Sequence, residues 1–84
     1  MNNEPVMTDE EIRSALIDEL ERRVSGNEGD AAKERRAAKR CAEYAPEDAA
    51  EYMRLAAHDD RCAAHFRQVI EFLKTAPMPP AEAP

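Results

Sequence analysis

His58, Cys62 and His65 stand at i, i+4 and i+7 in the stretch His58-Asp59-Asp60-Arg61-Cys62-Ala63-Ala64-His65. On an α-helix all three project from one side. Imidazole and thiolate are good ligands for zinc or copper. A fourth ligand could come from Glu51 one heptad earlier, from Cys41, or from a second copy of the chain. The spacing is not a tight metal signature, and Leu55 and Val69 lie on the same stripe. The leading expectation is therefore that His58, Cys62 and His65 border the core and that no cofactor is needed. A metal site for zinc or copper is the alternative.

The same thiol and imidazoles do not add up to a nucleophile. Nothing in the sequence supplies a third group to orient the imidazole or an oxyanion hole, and one side of a helix is too flat for a substrate pocket. The glycine-rich phosphate loops, paired Cys-x-x-Cys motifs and serine elbow of the common enzyme classes are also missing from the sequence. The expectation is a protein that is not an enzyme. Two cysteines make no disulfide framework, so Cys41 and Cys62 are read as reduced thiols in a cytoplasmic protein. No apolar run approaches the roughly 18 residues of a membrane helix, and Met1-Asn2-Asn3-Glu4-Pro5 lacks the features of a signal peptide.

The elements that would position these residues are all helical. Thr8-Asp9-Glu10-Glu11 has the pattern of a capping box. Ile12, Leu16, Leu20 and Val24 then follow at spacings of four, opposite Arg13, Asp18, Glu21 and Arg22. Ser25-Gly26-Asn27-Glu28-Gly29-Asp30 holds the only two glycines and predicts a break. A second helix over 31–45 is rich in alanine and basic residues, with high propensity and little bulk to bury. Pro46-Glu47-Asp48 suits a first turn, with proline at its opening position and acids at the positive dipole end. A third helix should run through Phe66, Ile70 and Leu73 to residue 75.

The predicted architecture is a single all-α domain over 8–75 with helices at 9–24, 31–45 and 46–75. It would form a three-helix bundle or a long antiparallel helical hairpin with a broken first arm. Residues 1–7 and the proline-rich 76–84 should be disordered. Whether the first segment folds back or extends along the third is left open by periodicity. Ile12, Leu16, Leu20, Val24, Phe66, Ile70 and Leu73 are the packing residues, with the first four expected to meet the last three. Leu16→Asp should accordingly unfold the protein or dissociate it.

Sixteen of the 84 residues are alanine, and the aromatics are Tyr44, Tyr52, Phe66 and Phe72 alone. A chain this short buries only about 60% of its unfolded surface, and a core this lean predicts a homodimer. Net charge is −6 overall, but the basic residues gather in the second predicted helix between two acidic segments. The plain reading is mutual neutralisation across solvated faces. A nucleic-acid contact through Lys33, Arg36 and Arg40 is disfavoured by a pI near 4.9. The opposite use of charge, an acidic mimic of nucleic acid presenting Asp9, Glu10, Asp18, Glu19 and Glu21, is a further alternative. The leading function is a small acidic protein-interaction module (an inhibitor, adaptor or regulator) that binds another protein.

Overall fold

A computed structural model describes residues 6–77. Two helices make up the fold: α1, Asp9–Cys41, and α2, Pro46–Thr75. They lie antiparallel and pack against each other. The direction is set by two ion pairs between the helices, Glu28–Arg67 and Arg35–Asp60: one heptad forward on α1 is one heptad back on α2. The result is long and thin. Its radius of gyration is 19.7 Å, against about 12 Å for a compact globule of this length.

The helix ends follow the sequence closely. The Thr8 hydroxyl accepts from the Glu11 amide at 3.1 Å, and a Glu11 carboxylate oxygen accepts from the Thr8 amide at 3.0 Å. That reciprocal pair, with Thr8 extended at φ −73° and ψ 161°, opens α1. These hydrogen bonds hold the Glu11 carboxyl below its usual range. At the other end Lys39 and Arg40 sit in the last turn of α1, where cations meet the negative end of the helix dipole. Ala45 is in a non-helical conformation, as the residue before proline tends to be, and Pro46 opens α2 with Glu47 and Asp48 in the first turn. The Arg13 guanidinium donates to the Ala76 carbonyl at 2.8 Å, tying the end of α2 to α1.

The expected break at residues 25–30 does not occur, and the helices predicted at 9–24 and 31–45 are one. Neither glycine has a positive φ. The reason lies in the seam. Ile17, Leu20, Val24, Asn27, Ala31, Glu34, Ala38 and Cys41 alternate spacings of three and four, and all are buried or half-buried. This heptad pattern runs straight through the glycines. Each mid-helix glycine costs up to about 1 kcal/mol relative to alanine, less than the packing that continuity preserves on both sides. The first segment therefore extends along α2 and does not fold back. The expected disorder of 1–7 and 76–84 falls mostly on residues outside those described; Val6 and Met7 precede α1 as exposed, non-helical chain.

The seam changes character along its length. At the open end, where the termini lie, Val24, Ala63 and Ile70 form a cluster with Ile17, Leu20 and Phe66 packed on it. Toward the turn, Ala31, Ala38, Ala56 and Ala63 are all at most 5% exposed. Their short side chains allow the two axes to approach closely, as the alanine content implied. Ile70 is the largest side chain among the buried residues, so the hairpin has a thin core.

Two of the seven predicted packing residues sit differently. Val24 and Ile70 are buried, and Leu20, Phe66 and Leu73 are half-buried. Ile12 and Leu16 are 43% and 48% exposed and do not lie in the seam. A repeat of four residues advances 400°, so a stripe at that spacing drifts by about 40° per step relative to the helix. Ile12 and Leu16 have rotated out to one side, and Ile17 occupies the seam in place of Leu16.

Candidate interaction face

The heptad register gives the hairpin two dissimilar sides. One is electrostatic. Glu28 with Arg67 and Arg35 with Asp60 bridge the helices there, and Glu21, Lys74 and Glu71 line a shallow groove beside Val24 and Ile70. The paired side chains are about half exposed, and such pairs contribute about 0–1 kcal/mol each. Their sign pattern matters more than their strength, because it favours this pairing direction over slipped ones.

The opposite side mixes apolar and charged residues. The α2 row there reads Leu55, Cys62, Val69 and Ala76, each one heptad after the last. The α1 row reads Leu16, Arg23, Asp30 and Ala37. Arg23, Gly26, Asn27, Asp30, Cys62 and Phe66 line a shallow groove between the two helices on this side. Ile12 lies two heptads before Gly26 and so borders the same face, as does Phe72, one heptad after His65. Phe72 is 67% exposed. Ile12 and Leu16, one turn apart on α1, are exposed beside each other at the open end, and Phe72 is exposed separately on α2, level with Arg23.

His58, Cys62 and His65 all lie on or beside this face, on the common side that their spacing predicted. The structure brings two of them together: the Cys62 sulfur is 3.5 Å from His58 Nε2. His65 turns to Phe66, with ring centroids 6.0 Å apart. Among the described residues no three or more His, Cys, Asp or Glu side chains are arranged to hold a metal ion. Cys41 is buried near the turn and Cys62 is half-buried, on different stretches of the seam.

Near the middle of the same face two acids oppose each other across the seam, a feature that the sequence reading missed. Glu34 and Asp59 occupy seam positions normally filled by apolar residues. Burial raises the Glu34 carboxyl above its ordinary value, and a hydrogen bond with Asp59 and the charges of Asp59 and Asp30 raise it further; Arg35 opposes them. One Glu34 oxygen is enclosed with no hydrogen-bond partner. Only the interruption of the heptad by Glu34 and Asp59 could have revealed this pair.

The charged surfaces considered for nucleic acid are less organised. Arg36, Lys39 and Arg40 line a shallow cationic depression near the end of α1, whereas Arg35 is engaged by Asp60. Of the acids offered as a nucleic-acid mimic, Glu19 is bound by Arg22 and Arg23, which hold its carboxyl below the usual range.

Neither helix is long and apolar enough to cross a membrane. No family model, curated protein or solved structure matches the chain.

Proposed function

We propose that this protein is a small acidic protein-interaction module, an inhibitor, adaptor or regulator that works in the cytoplasm by packing one face of its hairpin against another protein. It carries out no chemistry of its own. The observation that supports this reading most is the exposure of the large apolar side chains Ile12 and Leu16 on α1 and Phe72 on α2, at positions away from the cross-helix ion pairs. A scaffold whose own core contains nothing larger than Ile70 gains from having those side chains covered. The polar groups around them would give the contact its selectivity.

The test is positional. A photo-crosslinking amino acid is placed at Leu16 or Phe72, and in parallel at Arg22 or Gln68 on the outward faces. Discrete protein adducts from 16 and 72 and none from 22 and 68 are expected. Equal or absent adducts from all four positions would refute the reading.

The contact between His58 and Cys62 favours one second reading, a site for zinc or copper completed by His65 after rotation of its side chain. Purification without chelator and elemental analysis test it. Stoichiometric metal, lost in His58→Ala, would support it.

A further inference from the structure

We propose that the face bearing Leu16, Arg23, Asp30 and Cys62 binds a second copy of the same chain, antiparallel to the first, about a two-fold axis passing near Gly26 of α1 and His65 of α2. This rests on the interaction-module reading and names its partner.

The argument starts from self-complementarity, which a two-fold interface demands: if residue i meets residue j, then j must meet i. The face has one row on each helix, and reversing α1 about Gly26 places Arg23 opposite Asp30 of the partner subunit and Leu16 opposite the partner's Ala37. Glu19, which Arg22 and Arg23 of its own chain already bind, falls opposite the partner's Lys33. Reversing α2 about His65 sets Cys62 against the partner's Val69 and Phe72 against the partner's His58. Arg23–Asp30 and Glu19–Lys33 are of opposite charge and Leu16–Ala37 and Cys62–Val69 are apolar, while Phe72–His58 is an aromatic–imidazole pair and Ile12 falls opposite the partner's Arg40. The groove on this side, which Gly26 and Asn27 line together with Cys62 and Phe66, brings the two centres near one another.

The alternative two-fold arrangement, with both turns at one end, fails on charge. It would bring the carboxylates of Asp30, Glu34 and Asp59 level with their own copies. The antiparallel arrangement instead brings a guanidinium from the partner's Arg23 toward this group, where one Glu34 oxygen is enclosed without a hydrogen-bond partner. At the axis, a side chain at Gly26 would meet nothing within 4 Å in the single hairpin, and its absence leaves room for a second backbone.

Size agrees. Helices of 33 and 30 residues present a face about 45 Å long and about 20 Å wide at the usual rise and axis spacing. Reversal about Gly26 overlaps residues 11–41 of α1 and reversal about His65 overlaps 55–75 of α2, which would bury about 1,500 Å² in total, the size of a stable protein–protein interface.

Equilibrium sedimentation of the full chain tests this, using wild type, Arg23→Asp, Asp30→Arg and the double variant. The wild type should sediment at twice 9.4 kDa. Each single reversal should raise the dissociation constant at least about tenfold, because the pair occurs twice, and the double variant should restore it. Arg23 and Asp30 are two turns apart in one chain, so rescue cannot arise within a monomer. As a second measurement, Gly26→Cys in a Cys41→Ala, Cys62→Ala background should form a covalent dimer on mild oxidation.

A wild-type monomer at 100 µM, or a dimer that neither charge reversal weakens, would overturn the proposal. If such a monomer still forms adducts with another protein from positions 16 and 72, only the second copy is refuted. If those positions form no adduct, the interaction reading fails with it.

Discussion

Replacing Ala63 by leucine probes the alanine seam, with Ala64→Leu as its control. Ala63 is 1% exposed and faces α1, where Ala31 is equally buried; Ala64 is exposed on the adjacent turn position. Both substitutions make the same small change in helix propensity, so the difference between them isolates packing. Leucine adds three carbon atoms at a position already packed in the cluster with Val24 and Ile70. Overpacking of this kind costs about 1–3 kcal/mol, and a described chain of this length has a stability of about 4–10 kcal/mol. Urea unfolding followed by circular dichroism at 222 nm, at one protein concentration, should place Ala63→Leu at least 1 kcal/mol below Ala64→Leu. Equal midpoints for the two variants would show that the helices are not in close contact at residue 63.

Three further predictions concern separate parts of the fold. Gly29 is helical, with open space where a Cβ would stand, so Gly29→Ala should stabilise by about 0.5–1 kcal/mol and raise Tm by about 3–6 °C. Thr8→Ala removes one half of the capping box and should cost about 1 kcal/mol in urea unfolding. Glu34 has a folded pKa above its unfolded one, so its contribution is fully present below the unfolded value and is lost as pH rises through the folded value. Glu34→Gln should therefore be more stable than wild type at pH 7, and the advantage should vanish in acid below the ordinary carboxylate range. A stability difference that did not change with pH would show that the carboxyl is unperturbed.

The sequence revealed the features governed by local chemistry. The Thr8–Glu11 box, the start at Pro46 and the close approach of alanine-rich segments follow from residue types within a turn or two. Continuity through Gly26 and Gly29 was not legible, because a glycine's local cost is visible in sequence whereas the tertiary packing that outweighs it is not. Leu16 was misplaced for a related reason: a spacing of four looks like a stripe over two turns but drifts off the seam over four. Ile17, the true seam residue, emerges only when the alternation of three and four is followed past the glycines to Cys41. The Glu34–Asp59 pair stayed hidden because a search for apolar periodicity passes over acids at seam positions. The shared side of His58, Cys62 and His65 was read correctly from spacing. That only His58 and Cys62 touch depends on side-chain rotation, which spacing does not determine.

The central claim is that the side of the hairpin bearing Leu16 and Phe72 is where this protein meets other protein. Site-specific photo-crosslinking in the cells that make it tests this most directly, comparing positions 16 and 72 with positions 22 and 68. The account predicts discrete adducts, to itself or to another protein, from the first pair alone. Adducts of equal yield from all four positions, or from none, would contradict it.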